Sequence, residues 1–136
     1  MRAIVCLACY NGETWLRAQL DSLIAQSFEE WTLLVRDDGS SDGTLSILQE
    51  YAQADPRISI VSDAEGSEPL GPARNFEALL KQVTHDLEDE PFVVFLCDQD
   101  DLWHPQKMAE QMQLLGNASA SCHDLAYMDA HDRVAD

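Results

Sequence analysis

The chain has 136 residues, eight of them basic and 25 acidic, so its net charge at pH 7 is −17, and its length predicts a single domain spanning residues 1–136. This negative charge argues against nucleic acid and anionic membrane surfaces as partners, and an anionic substrate would need a cation in order to bind. Because no apolar run reaches the ~20 residues of a membrane span and the first residues lack a signal-peptide pattern, we expect a cytoplasmic protein.

Apolar patterning indicates alternating strands and helices. Short apolar runs predict five strands, over residues 3–8, 31–36, 58–61, 92–97 and 125–128. Apolar residues at helical spacing predict four helices, over about 12–25, 43–54, 72–84 and 105–115. This alternation predicts the α/β class, with helices on both faces of a mostly parallel sheet in a three-layer α/β/α arrangement.

Capping and packing patterns refine the predicted helices. Asn11 is the predicted N-cap of the first helix, and Ser41 or Asp42 that of the second. Pro105 is expected as the first residue of the fourth helix, which Gly116 ends. The residues predicted to face the core are Leu16, Leu20, Leu23, Ile24, Leu45, Leu48, Tyr51, Phe76, Leu79, Leu80, Val83, Met108, Met112 and Leu115.

Residues 92–101 combine an apolar run with an acidic cluster. The run 92–97 predicts a strand buried on both faces, and acidic residues follow at its carboxyl end, where open α/β sheets bind ligands. Since residues i and i+2 of an extended segment point the same way, Asp98 and Asp100 are expected to converge on one target. Neighbouring carboxylates repel each other unless a cation lies between them, which predicts Mg²⁺ or Mn²⁺. The alternative is a solvated acidic turn in which Asp98 or Asp101 caps the next helix.

Two further polar loops, which follow the first and second predicted strands, are expected at the same edge of the sheet. They carry Tyr10, Asp37 and Asp38. An aromatic ring can stack on a base, a carboxylate can accept a hydrogen bond from a base N–H or a ribose hydroxyl, and a metal ion can neutralise a diphosphate. Together the loops predict a nucleotide site, although each of these residues alone also fits an ordinary turn.

The four cysteines, Cys6, Cys9, Cys97 and Cys122, raise the alternative of zinc or redox chemistry. Cys6 and Cys9 have C-x-x-C spacing, but residues three apart in a strand face opposite sides, and no second ligand pair follows. We therefore expect reduced, structural cysteines.

Five motifs in a fixed order give the chain a family resemblance. They are ACYNGE at 8–13, QLDSLIAQS at 19–27, RDDGSSDGT at 36–44, GPARNF at 71–76 and CDQDD at 97–101. Together they resemble the amino-terminal half of family 2 glycosyltransferases with the GT-A fold, most closely bacterial transferases of surface polysaccharides, including rhamnosyltransferases. The resemblance implies a Rossmann-like nucleotide-binding half, a UDP- or dTDP-sugar donor, a saccharide or lipid-linked acceptor, and a location in the cytoplasm or at the inner face of the membrane.

The resemblance also implies a role for individual residues. Tyr10 would lie along the base, and Asp38 would accept a hydrogen bond from the pyrimidine N3–H. Arg74 would approach the diphosphate, which suits its multi-donor fork. Asp98 would hold the ribose, and Asp100 would ligate the Mg²⁺ or Mn²⁺ that assists departure of the nucleoside diphosphate. In inverting members a carboxylate base deprotonates the acceptor hydroxyl.

That general base and the acceptor-binding region follow, in the family, the point where this chain ends, so no catalytic base is assigned. We expect the chain to be the donor-binding half, with an exposed apolar patch that favours self-association into a homo-oligomer. A phosphoacceptor receiver domain is disfavoured, because it needs its acidic pair after the first strand and a late lysine, whereas the last lysine here is Lys107. A non-catalytic nucleotide-sugar-binding module remains the alternative.

Overall fold

The computed structural model describes residues 1–62, 68–86, 91–118 and 121. Within these ranges strands and helices alternate, which confirms the predicted α/β class. The elements are β1 (Arg2–Cys9), α1 (Glu13–Ile24), β2 (Trp31–Asp37), α2 (Thr44–Ala54), β3 (Ile58–Ile60), α3 (Pro72–Asp86), β4 (Phe92–Asp98) and α4 (Lys107–Leu115). The predicted strand at 125–128 lies outside the described residues.

The four described strands form a parallel sheet in the order β3-β2-β1-β4. β1 is central and pairs with β2 up to Cys9↔Asp37 and with β4 up to Ala8↔Asp98. The chain therefore moves outward from β1 through β2 to β3 and then crosses to the other side of β1. This reversal creates a switch point between β1 and β4, and the crevice outside the carboxyl ends of the strands at such a point is where open α/β sheets bind ligands.

Helices cover both faces of the sheet, as predicted. On one face, alternate β1 residues such as Val5 and Leu7 belong to a core cluster with buried side chains of α1, α2 and α4. On the other face, Ile4 and Cys6 pack with Leu79 and further apolar residues of α3. Because β1 is buried on both sides, its sequence is continuously apolar rather than alternating.

The strand β4 is less buried than predicted. Leu96 is 58% exposed, and the residues from Phe92 to Val94 are only half-buried. Among the described strands β4 pairs with β1 alone, so it lies at an edge of the sheet. The helix α3 covers the face of the sheet on which Leu96 lies. It contacts chiefly β1 and β2, which leaves Leu96 exposed. The prediction of a strand buried on both faces was therefore wrong within the described chain.

Helix ends and faces also depart locally from the predictions. The N-cap of α1 is Gly12 rather than Asn11, and α4 begins at Lys107 rather than at Pro105. Three residues predicted to be buried are about two-fifths exposed: Ile24, Leu45 and Leu80. A helix lying on a sheet buries only one stripe, and these side chains lie at its margin. The central residues of the predicted stripes are buried as expected: Leu16, Leu20, Leu23, Leu48, Leu79, Val83 and Met108.

The described cysteines agree with a structural role. Cys6, Cys9 and Cys97 are free and buried, and Cys6 and Cys9 belong to the cores on opposite faces of the sheet. Burial raises the pKa of the Cys6 thiol to about 11, which keeps it protonated at neutral pH. Cys122 lies outside the described residues. None of the helices in the described ranges is long and apolar enough to cross a bilayer.

Candidate functional site

Three loops begin side by side at the carboxyl edge of the sheet. The register pairs Cys9 with Asp37 and Ala8 with Asp98, so the loops after β1, β2 and β4 leave the sheet at one level. The Tyr10 side chain is 51% exposed, and Asp98 and Asp100 are also exposed. An aromatic ring and carboxylates open to solvent therefore occupy the same edge.

Gln99 joins the loop after β4 to the loop after β1. Its Nε2 donates to the carbonyl of Tyr10 at 2.8 Å, and its Oε1 accepts from the N–H of Tyr10 at 2.9 Å. One side chain thus binds both backbone polar groups of a residue 89 positions away. Sequence reasoning missed Gln99, although an amide between two carboxylates, able both to donate and to accept, was a signal for it.

Asn11 ties the same turn to the loop after β2. Its backbone N–H donates to Ser40 Oγ at 2.8 Å, and its Oδ1 accepts from the N–H of Ser41 at 2.8 Å. Asn11 has φ of +47°, a conformation that asparagine tolerates better than most residues. The side chain predicted to cap α1 therefore holds the neighbouring loop instead.

The helices α1 and α2 cap each other. The N–H of Glu13 donates to Asp42 Oδ2 at 3.2 Å, and the N–H of Gly43 donates to Glu13 Oε2 at 2.6 Å. The N–H of Gly12 donates to Thr44 Oγ1 at 2.8 Å. Asp42 also accepts from the side chain and the N–H of Thr44, and these hydrogen bonds hold its pKa below the ordinary range. The chain's own carboxylates thus occupy helix ends that would otherwise attract anions.

Asp38 is almost fully buried, with 4% of its surface exposed. Its Oδ1 accepts from Arg36 Nη1 and from the N–H of Leu70, and its Oδ2 accepts from the N–H of Gly71, each at 2.8 Å. Burial pushes the pKa of Asp38 upward, but the hydrogen bonds from Leu70, Arg36 and Gly71 outweigh it and leave the pKa lowered. Asp38 therefore anchors the segment leading into α3, and its predicted contact with a base stays a prediction.

The start of α3 is anchored beside the same strands. Asn75 is buried; its Nδ2 donates to the carbonyl of Cys9 at 3.3 Å and to that of Arg36 at 3.4 Å. Its Oδ1 accepts from Arg36 Nη1 at 3.0 Å. The exposed Arg74 precedes Asn75 in the first turn, so the anchor holds this cation at the edge where β1 and β2 end.

The acidic turn differs from its predicted geometry. The chain bends directly after Asp98, with the N–H of Asp101 donating to the Asp98 carbonyl at 3.4 Å. Asp98 and Asp100 therefore do not lie on one extended segment, and the prediction that such a segment makes them converge was wrong. Both carboxylates act on the neighbouring Asp101, since burial and then the charges of Asp98 and Asp100 raise the pKa of Asp101.

Within the described chain, no group of three or more histidine, cysteine or acidic side chains forms a ready metal site. The available donors are the exposed carboxylates of Asp98 and Asp100, to which no described residue donates a hydrogen bond. Mg²⁺ is commonly held by one or two carboxylates, with phosphate oxygens and water completing its shell. The donor set therefore fits a hard cation whose coordination a bound diphosphate would complete.

Residues 4–127 match the sequence pattern of glycosyl transferase family 2. The chain belongs to this family. The family predicted from the five motifs is thereby confirmed, and it supports a sugar-transferring enzyme.

Two curated relatives illustrate the similarity. The dTDP-rhamnosyl transferase RfbG of Shigella flexneri is 36% identical over 118 residues, which are 86% of this chain and 39% of that protein. An Escherichia coli enzyme, the UDP-Glc:α-D-GlcNAc-diphosphoundecaprenol β-1,3-glucosyltransferase WfgD, is 32% identical over 82% of this chain and 40% of its own length. The chain thus spans about two-fifths of these relatives.

A solved structure that is similar to this chain confirms the predicted fold. TarS of S. aureus, crystallised as residues 1–349 with UDP-GlcNAc, superposes with a TM-score of 0.70 at 27% identity. The match covers 86% of this chain and 32% of the TarS chain.

Proposed function

We propose that this family 2 chain binds the nucleoside-diphosphate sugar of a metal-dependent, inverting glycosyl transfer to a saccharide or lipid-linked acceptor in cell-surface polysaccharide synthesis. The observation that carries the proposal is the Gln99 link, which fixes the turn bearing the exposed Tyr10 ring against the turn bearing Asp98 and Asp100. A ring and carboxylates held on one edge suit the two ends of a nucleoside diphosphate. A cytoplasmic location, at the inner membrane face for a lipid-linked acceptor, belongs to the same proposal.

The base end of the site consists of Tyr10 and Asp38. The exposed Tyr10 ring offers a face for stacking. Asp38 Oδ2 accepts one hydrogen bond from this chain and keeps a second lone pair for a base N3–H. The name of RfbG contains dTDP, that of WfgD contains UDP-Glc, and TarS was crystallised with UDP-GlcNAc. All three are pyrimidine nucleotides, which favours a UDP- or dTDP-sugar as the donor of this chain.

The diphosphate end needs positive charge from a source other than the N-termini of α1 and α2. Asp42 and Glu13 already occupy the N-termini of α1 and α2, and the whole chain is strongly negative. We assign the diphosphate to Arg74 and to a Mg²⁺ or Mn²⁺ ion held by Asp100, with Asp98 on the ribose. When bound, the ion supplies Lewis-acid stabilisation of the departing nucleoside diphosphate.

Replacement of Asp100 tests this assignment. We expect Asp100→Asn to weaken UDP binding in the presence of Mn²⁺ by at least about tenfold, since even groups one step removed from a metal matter on this scale. Calorimetric titration of UDP into the wild type and the variant measures the loss. Asp21→Asn is the matched control, because it removes the same charge from an exposed site in the second half of α1. Equal affinity in the wild type and Asp100→Asn would contradict the metal assignment.

A second candidate function is a non-catalytic nucleotide-sugar-binding module. It rests on the same observation, because a ring and carboxylates held on one edge account for nucleotide binding and do not by themselves require turnover. The two functions differ in turnover. Metal-dependent UDP binding without donor hydrolysis or sugar transfer would support the module, whereas transfer to a lipid-linked saccharide would support the enzyme.

A further inference from the structure

Gln99 occupies a place where a strand ladder would otherwise continue. The backbone pairing of β1 with β4 ends at Ala8↔Asp98. One step further on, the Gln99 side chain binds the N–H and the carbonyl of Tyr10, as a neighbouring strand would. A primary amide is suited to this because it presents one donor and one acceptor side by side.

The turn around Tyr10 is built to admit this amide. A Cβ on Gly12 would overlap the side-chain amide of Gln99, so a side chain at position 12 would displace it. On its other side the turn is held by Ser40 and Ser41 through Asn11. The half-buried Gln99, in the loop after β4, therefore helps to set where the Tyr10 backbone lies.

Gln99 is also flanked in sequence by the two exposed carboxylates Asp98 and Asp100. A displacement of its side chain would alter the separation between the Tyr10 turn and the acidic turn. From this geometry we infer that Gln99 is a positioning residue that sets the distance between the base end and the diphosphate end of the donor site. The inference rests on the proposed function and adds that a residue without ligand contact controls nucleotide affinity.

The first test is a double-mutant cycle with UDP and Mn²⁺. Gln99→Met keeps the side-chain length but removes both hydrogen bonds, and we expect it to weaken UDP binding about tenfold, the scale of one to two lost hydrogen bonds. We infer that Gln99 acts through Tyr10. In a Tyr10→Ala background, Gln99→Met should therefore weaken UDP binding by less than about twofold. Gln99→Glu should bind as weakly as Gln99→Met, since its carboxylate faces the Tyr10 carbonyl. Gln53→Met, at an exposed position of α2, is the matched control.

A second readout does not depend on a ligand. Hydrogen exchange of the Tyr10 amide should accelerate about tenfold in Gln99→Met, since its acceptor is lost, while amides in the middle of α1 keep their rates. Equal UDP losses in the wild-type and Tyr10→Ala backgrounds, or an unchanged Tyr10 exchange rate, would overturn the inference. A wild-type chain that binds no UDP would instead contradict the proposed function, while wild-type binding with unaltered Gln99→Met affinity would overturn only the present inference.

Discussion

At the scale of single residues, some side chains of the site also hold the fold together, and the sequence did not predict this structural role. Asp38 was predicted as a base-binding residue from its motif, yet its carboxylate also holds Leu70 and Gly71, more than 30 positions away. Such partners are invisible to local patterns, because they depend on which loops the sheet brings together. The motifs predicted exposed site residues such as Tyr10 and Asp100, whose roles stay predictions, but they did not predict the buried supports Arg36 and Asn75.

The buried ion pair of Arg36 with Asp38 predicts a large loss of stability in Asp38→Asn. The change removes the charge of a buried carboxylate that Arg36 contacts and weakens the charge-assisted hydrogen bond between them, so we expect the free energy of unfolding to fall by about 2 kcal/mol. Urea unfolding monitored by fluorescence measures the loss. Glu50→Gln is the control, because it breaks an arginine–carboxylate pair on the surface and should change stability little.

The same carboxylate predicts the sign of the acid response. Since the pKa of Asp38 is lowered in the folded state, its stabilisation is complete above the ordinary value of 3.8 and is lost as the pH falls from there through the lowered pKa. The stability of Asp38→Asn should consequently depend less on pH in this range. Parallel pH profiles for wild type and variant would contradict the assigned pairing.

At the scale of elements, the strands and helices were largely predictable, but their ends were not. Apolar periodicity located all eight described elements to within a few residues, since burial against a sheet imposes that pattern. The prediction of the N-cap of α1 failed because the first N–H groups of this helix are bound by residues at the start of α2. Thr44 accepts from the N–H of Gly12, and Asp42 accepts from the N–H of Glu13. Rules that read one helix at a time cannot find caps that cross between two.

The buried hydroxyl of Thr44 tests this mutual capping. Thr44→Val preserves shape but leaves the buried N–H of Gly12 without an acceptor, and we expect a loss of about 1–3 kcal/mol in the free energy of unfolding. Thr84→Val is the control, because Thr84 is exposed and its hydroxyl bonds only to a carbonyl in its own helix, at Lys81. Equal effects of the two substitutions in urea unfolding would show that the link between the helices contributes no stability.

At the scale of the whole molecule, the topology explains why the site lies where it does. The central position of β1 places its loop between those of β2 and β4, so that the aromatic turn faces acidic residues on both sides. The alternation of elements predicted this edge of the sheet, but not that Leu96 is exposed or that β4 pairs with β1 alone among the described strands. Self-association through such exposed apolar residues stays a prediction.

The central claim is that a divalent cation lets this strongly negative chain hold a diphosphate. Reciprocal binding of UDP and Mn²⁺ measures it most directly, by calorimetry with correction for Mn²⁺ bound to free UDP. We predict that saturating Mn²⁺ tightens UDP binding at least about tenfold relative to metal-free buffer, and that UDP tightens Mn²⁺ binding by the same factor, as linkage requires. UDP affinity that is the same with Mn²⁺ and with a chelator would contradict the account.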